Sequence, residues 1–204
     1  MSQEHYFSSK PASEDALRTV RVRLAGRDLE LLTAAGVFSP EHLDHGTRVL
    51  LEHVPVPPAD GALLDLGCGW GPMALTLALR SPDATVWAVD VNERALDLVR
   101  RNAARLGLTN VNAVLPGDVP GELEFRAIWS NPPIRIGKQA LHELLETWLP
   151  RLEAERSAWL VVQKNLGADS LQRWLGETLA AGTTIERRAT DKGFRLIEVR
   201  SPSA

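Results

Sequence analysis

Apolar and polar positions change rhythm repeatedly along this chain, and each change marks an element. Residues 19–24 alternate as Thr-Val-Arg-Val-Arg-Leu, and after Ala25-Gly26-Arg27-Asp28 the run Leu29-Glu30-Leu31-Leu32 is again rich in apolar positions. That pair of runs predicts a hairpin. Gly36-Val37-Phe38 and Asp44-His45-Gly46-Thr47 then form an irregular link to Arg48-Val49-Leu50-Leu51-Glu52, where a short helix is expected, and Pro55, Pro57 and Pro58 close the segment. Residues 1–58 are therefore read as a hairpin and covering segment, ahead of a main domain over 59–204.

From Gly61 onward strand and helix periods alternate. Strands are expected over 62–66, 85–89, 111–115, 125–130 and 158–162. The helices between them fall at 72–80, opened by Pro72, at 93–106, stopped by Gly107, at 138–152 and at 168–181. Ala95, Leu96, Val99, Ala103 and Leu106 form the inward stripe of the second helix; Leu141, Leu144, Leu145, Trp148 and Leu149 form that of the third. Trp174 is likewise expected in the core. The last two strands, 183–188 and 194–199, are separated only by Ala189-Thr190-Asp191-Lys192-Gly193. That link is too short for a crossover helix, so the two must be antiparallel neighbours. An α/β fold follows, with a mostly parallel sheet closed by an antiparallel hairpin.

Composition adds exclusions. At 204 residues, with 44% apolar and 24% charged positions, the chain can build one substantial core. A formal charge of -3 gives no global attraction for nucleic acid, so any such contact needs a local patch. One cysteine, Cys68, rules out an internal disulfide framework and a cysteine-based zinc cluster, and between two glycines it reads as a small filler. His5, His42, His45, His53 and His142 have no metal-ligand spacing. No run reaches ~18 consecutive apolar residues and no signal-peptide core is present. The expectation is a cytoplasmic protein with neither a membrane span nor a metal. Met1 to Ala16 reads as a polar, flexible start.

Two segments carry the chemistry. In Asp65-Leu66-Gly67-Cys68-Gly69-Trp70-Gly71-Pro72, the glycines allow a tight strand-to-helix turn that a ligand can approach closely. Their spacing departs from the dinucleotide fingerprint, and the Asp65 carboxylate suits an ammonium better than a pyrophosphate. Asp90 ends the next strand, where it could accept both ribose hydroxyls, and Asp118 follows the third, where it could meet the adenine edge. This pattern favours S-adenosylmethionine (SAM), with a nicotinamide cofactor as the rival. The second segment, Ile128-Trp129-Ser130-Asn131-Pro132-Pro133-Ile134, ends the fourth strand in the same crevice. The Asn131 side-chain oxygen and the Pro132 carbonyl could hold the two N–H groups of a planar amine toward a methyl donor, on a backbone stiffened by Pro132 and Pro133. Ile134 offers an apolar face, and Arg135 could stack on a base or pair with a phosphate. Lys138 and Lys164 are further substrate candidates. With Arg187, Arg188, Lys192 and Arg195 they could form a rim that contacts phosphates.

Asp65-Leu66-Gly67-Cys68-Gly69-Trp70-Gly71 together with Asn131-Pro132-Pro133 resembles the class I SAM-dependent methyltransferases. With Tyr6-Phe7-Ser8, Gly36-Val37-Phe38-Ser39, Asp44-His45-Gly46-Thr47, Trp129 to Lys138 and Gln163-Lys164-Asn165, the chain is most similar to one small-domain family. That family includes the guanine-N2 methyltransferases of 16S ribosomal RNA (the RsmC group) and their single-domain relatives. The resemblance implies a Rossmann-like, seven-stranded sheet whose last strand inserts antiparallel beside the fifth. It also implies SAM as cofactor, with Phe38, Gly46 and Thr47 covering its methionine end and Asn92 near the ribose. Ribosomal RNA or the small ribosomal subunit becomes the expected partner, and the exocyclic N2 of guanine the acceptor. Two departures bear on that substrate: the additional N-terminal half of the two-domain members is missing from this chain, and Ile134 stands where an aromatic residue is frequent. A protein glutamine amide and a small-molecule amine are alternative acceptors. A noncatalytic SAM-binding or RNA-binding protein is the alternative of another class.

Overall fold

Every strand of the main domain meets a neighbour through an extended ladder, so the fold is most simply built outward from its centre. The computed structural model describes residues 17–203. Tyr6-Phe7-Ser8 and the expected polar start lie outside the described residues, as does the side chain of Arg135. The elements are β1 (Leu17–Leu24), β2 (Arg27–Ala34), α1 (His45–His53), β3 (Asp60–Leu66), α2 (Pro72–Arg80), β4 (Asp83–Val89) and α3 (Glu93–Arg105). They continue with β5 (Val111–Val114), β6 (Phe125–Ser130), α4 (Lys138–Trp148), β7 (Leu152–Gln163), α5 (Ala168–Thr178), β8 (Thr184–Asp191) and β9 (Phe194–Arg200).

The main sheet has seven strands in the order β5-β4-β3-β6-β7-β9-β8. Its first five strands are parallel, and β9 enters antiparallel beside β7 with β8 antiparallel at the edge. This is the expected class I methyltransferase arrangement. The pleat sends alternate residues to opposite faces. Leu63, Ala127 and Trp129 pack with Leu77, Leu96 and Val99 on the side of α1, α2 and α3. Leu64, Leu66 and Ile128 pack with Leu145, Trp148 and Leu175 on the side of α4 and α5. The β1–β2 hairpin is a separate two-stranded sheet, whose Val20, Val22, Leu24 and Leu31 bury against Trp70, Leu75, Ala95 and Leu98.

Several boundaries moved for identifiable reasons. Both hairpins turn on two residues, Ala25-Gly26 (φ 48° and 77°) and Lys192-Gly193 (φ 44° and 86°), not on the longer links expected. Left-handed dihedrals at both central positions match the twist of the flanking strands. The short helix α1 starts at His45, earlier than expected, because Asp44 caps it by accepting from the Thr47 N–H. The helix expected to run to 152 stops at Trp148 and continues as a 3₁₀ turn over Leu149–Arg151, since Pro150 has no N–H to extend it. The next helix ends at Thr178, not 181, because Leu179 is already extended (ψ 161°). β7 begins well before residue 158, pairing Leu152 with Phe125 across a register shift.

The order of strands decides where a site can form. The chain runs from β3 outward to β4 and β5, then crosses to β6 on the other side of β3. Such a switch opens a crevice at the carboxyl ends of the two central strands. Here Leu66 is in register with Ser130, so Gly67 and Asn131 leave the sheet side by side. The Ser130 hydroxyl donates to the Leu66 carbonyl at 2.8 Å and ties the two ends together.

Candidate functional site

The glycine turn is pinned from beneath. The N–H groups of Gly67 and Cys68 both donate to the Val89 carbonyl (2.8 and 3.0 Å), and that of Gly69 donates to Asp90 Oδ2 at 2.9 Å. Gly71 must be glycine on two counts: its φ is 98°, and an added Cβ would lie 2.9 Å from Val99 Cγ2. Above Gly69, a Cβ would meet nothing within 4 Å, so this face of the turn is open to a ligand. Cys68 is buried, and burial pushes its thiol well above its ordinary range, which fits a filler.

Asp65 lies behind the turn, fully buried. Its Oδ2 accepts from the Ala74 N–H at 2.7 Å and anchors the first turn of α2. Its Oδ1 has no partner among the described residues. Burial pushes the carboxyl up to about 8, with the nearby Asp90 adding to the rise and the Ala74 N–H opposing it. Asp90 stands at the end of β4, and its two oxygens accept from the N–H groups of Gly69 and Asn92, each at 2.9 Å. Burial raises its carboxyl too, against the pull of those donors.

The Asn92 side chain is engaged within the protein. Its Oδ1 caps α3 by accepting from the Arg94 N–H at 3.0 Å, and its Nδ2 donates to the Gly36 carbonyl at 2.9 Å. One end of the amide therefore holds the covering segment, which is also held by the Trp70 indole donating to the Ser39 carbonyl at 3.1 Å. Asp118 is exposed in the 3₁₀ turn after β5, and none of Asp65, Asp90 and Asp118 lines the hollow beside the glycines.

That hollow, a narrow one of about 20 Å³, is lined by Phe38, Asp44, Thr47, Gly67, Gly69 and Asn131 among others. Phe38 is half exposed at its rim. Thr47 is buried at the start of α1. Gly46 supports the site from behind: an added Cβ would lie 2.9 Å from Phe194 Cε1 and 3.1 Å from Asp44 Oδ2. A shallower trough of about 610 Å³ runs between α5 and β8 past Arg173, Thr183 and Arg187. It is a mainly polar surface groove on the far edge of the sheet, without the apolar walls a nucleoside needs.

Asn131 is fixed by hydrogen bonds that no sequence pattern revealed. Its Nδ2 donates to Asp44 Oδ2 at 2.7 Å and to Thr47 Oγ1 at 3.2 Å. Both amide hydrogens are thereby engaged, which leaves Oδ1 as the end able to accept from a ligand. The Pro132 carbonyl, expected to accept from the same amine, already accepts from the Ile134 N–H at 2.8 Å. With Pro133 at φ -75° and ψ 72°, this is an inverse γ-turn, and one lone pair of that carbonyl remains. Ile134 is partly buried against the α4–α5 side of the core, so little of it serves as a free apolar face. Ile136 is 43% exposed instead.

The expected basic rim only partly converges. Arg188 pairs with Glu186 and Glu198, and buried Arg195 pairs with Asp169. Lys138, Lys164 and Lys192 are exposed, and the Lys164 N–H donates to the Gly193 carbonyl at 2.8 Å. Lys164 and the Lys192 turn are therefore neighbours at the carboxyl edge. Among the described residues, Phe38, Val91, Ile136 and Leu166, the exposed large hydrophobics apart from Val56, follow strand ends or belong to the covering loop. Val91, next to Asp90, is 65% exposed, a position that the sequence reading did not single out.

A family model described as the methyltransferase small domain matches residues 28–198. The chain is similar to the uncharacterized protein YbxB of Bacillus subtilis, 36% identical over 200 residues that cover 97% of this chain and 98% of that one. It is also similar to the ribosomal RNA small subunit methyltransferase C of Stutzerimonas stutzeri, 37% identical over 188 residues, 89% of this chain and 54% of the relative. The chain thus spans about half the length of that relative. Among solved structures, the 16S rRNA N2 G1207 methyltransferase (RsmC) of T. thermophilus, in complex with AdoMet and guanosine, shares the fold. Its TM-score is 0.79 at 20% identity, over 94% of this chain and 52% of that one.

Proposed function

This chain belongs to the methyltransferase small domain family and has the fold of class I SAM-dependent methyltransferases, and from there we propose that it methylates the exocyclic N2 amine of a guanine in ribosomal RNA. The observation that carries this reading is the Asn131 amide. Both of its hydrogens are tied to Asp44 and Thr47, and its Oδ1 is left to accept beside the glycine turn.

The residues present fit SAM. Gly69 leaves open space for close approach, Asp65 Oδ1 is buried without a partner among the described residues, and the Asp90 oxygens keep lone pairs for ribose hydroxyls. Val91 offers an apolar surface to a purine ring, and Phe38 and Thr47 close the hollow near Asn131. When bound, SAM supplies a methyl group already activated on a sulfonium.

The chain's own task is orientation. The lone pair of a guanine exocyclic amine is delocalised into the ring, so the nitrogen attacks well only when held and pyramidalised. Asn131 Oδ1, aided by the remaining lone pair of the Pro132 carbonyl, would accept its N–H groups and strengthen those bonds as positive charge develops on nitrogen. Lys138, Lys164 and Lys192 would meet backbone phosphates around the mouth, and Arg135 is a further candidate. The relatives named for ribosomal RNA methylation support this substrate class, as does the apolar and basic character of the rim.

The test is transfer of labelled methyl from SAM to small-subunit ribosomal RNA, naked and assembled, taken from cells lacking this enzyme. Label that appears with the wild type and vanishes with Asn131→Ala is expected. A protein that binds SAM yet labels neither form above the mutant background would remove ribosomal RNA as the substrate and turn the search to glutamine amides and small amines.

A further inference from the structure

We propose that Asp44 is a positioning residue that sets both the orientation and the polarity of the Asn131 amide. The inference rests on the reading that Asn131 holds a planar amine. It concerns a different residue, on a different element, that lines the same hollow.

An asparagine side chain is nearly symmetric in shape, but its two ends are opposite in chemistry. Presented with Oδ1, an acceptor amine is held; presented with Nδ2, it meets donor against donor. A carboxylate only accepts, so Asp44 forces Nδ2 toward itself and Oδ1 outward. Asp44 Oδ2 takes the Asn131 amide at 2.7 Å and the Thr47 N–H at 3.0 Å. Thr47 Oγ1, 3.2 Å from Nδ2, meets the amide on a second side.

The carboxylate is itself immobilised. It is the N-cap of α1 (φ -54°, ψ 144°), where the helix amides favour a negative group. α1 in turn closes on β9, because Gly46 lets Phe194 come within what would be 2.9 Å of a Cβ. A charged acceptor on the N–H side draws positive charge onto Nδ2 and leaves Oδ1 richer in electrons, so the bond to the reacting nitrogen strengthens as that nitrogen becomes cationic. Asp44 thus acts on the reaction through Asn131.

Asp44→Asn keeps the cap and nearly the same shape but no longer dictates which end of Asn131 faces out. The expected result is a kcat reduced on the order of 10–100-fold, the cost of misplacing a reacting group. The KM for the acceptor and the Kd for SAM should stay within about 3-fold of wild type, with Tm unchanged. Asp44→Ser, a strong cap with no reach to Asn131, should match it and guards against a folding defect peculiar to one variant. A kcat within about 2-fold of wild type in both, or a loss that follows Tm alone, would overturn the proposal.

A readout independent of turnover separates this idea from the substrate assignment. In ¹⁵N-labelled protein the Asn131 side-chain amide is identified by its disappearance in Asn131→Ala. Its hydrogens should exchange slowly with solvent in the wild type and on the order of 10-fold faster in both Asp44 variants, the change expected when a local hydrogen bond that gates opening is lost. Unchanged exchange refutes the positioning role whatever the activity. Faster exchange in a protein that methylates no tested acceptor would leave the role standing and count against the substrate.

Discussion

Asn102 is the residue on which the covering segment hangs. It is fully buried on α3. Its Oδ1 accepts from the Leu32 N–H at 2.7 Å, and its Nδ2 donates to the Leu32 carbonyl at 2.9 Å and the Trp70 carbonyl at 3.2 Å. One side chain therefore imitates a strand edge for β2 and also grips the glycine turn. Asn102→Ala removes three hydrogen bonds worth about 1 kcal/mol each and strands the Leu32 N–H, at about 1–3 kcal/mol for a group wholly cut off from water. Leu32 is only partly buried, so the low end applies and the sum is about 3–4 kcal/mol. A domain stable by about 5–15 kcal/mol still folds after that loss. Asn102→Asp should be worse than alanine near neutral pH, because it sets a buried carboxylate against the carbonyls of Leu32 and Trp70. Urea denaturation read by tryptophan fluorescence and far-UV circular dichroism measures both. SAM affinity should fall with them, since Ala35, Gly36 and Ser39 continue directly from the strand that Asn102 holds. An alanine variant within about 0.5 kcal/mol of wild type, the range of a surface change, would refute the reasoning, and so would an aspartate variant milder than alanine.

Other outcomes follow from the same structure. Gly71→Ala should lose SAM binding and about 1–3 kcal/mol of stability, because strain at φ 98° adds to the contact with Val99; Val99→Ala in the same chain should restore only part of it, as thermal unfolding and SAM titration will show. Burial holds the folded Asp65 carboxyl at about 8 against about 3.9 when unfolded, so the folded state keeps a proton that the unfolded chain has lost. Stability must then fall as pH rises from about 4 to about 8. Asp65→Asn should flatten that slope in urea midpoints across the window, leaving a smaller remainder from Asp90, whose carboxyl burial also raises; an unaltered slope counts against the buried-acid account. Lys164→Ala and Lys192→Ala should each weaken RNA binding evenly across sequences and reduce the salt slope by about one counterion. Binding curves at several salt concentrations that keep the wild-type slope would exclude both lysines from the phosphate path.

Local chemistry determined more of this protein than its overall size suggests. The alternation in β1, the Pro72 start of α2, the Gly107 stop of α3 and the link too short for a crossover before β9 are each set by residues close in the chain, so they could be read from it. The same holds for the glycine turn and Asn131 as strand-end chemistry, since a strand that runs into glycines or prolines must end there. What the tertiary structure alone decided is how the polar ends of side chains are shared. Asn92 looked available to a ribose, yet it caps α3 and holds Gly36. Ile134 looked like an exposed face but turns partly into the core. Asp44 sat in a recognisable motif, but its hold on Asn131 spans 87 positions of sequence and exists only because α1 closes over the end of β6. A hydrogen bond between distant side chains leaves no period and no spacing in the chain. It depends on the packing of whole elements, and that packing is a property of the folded sheet.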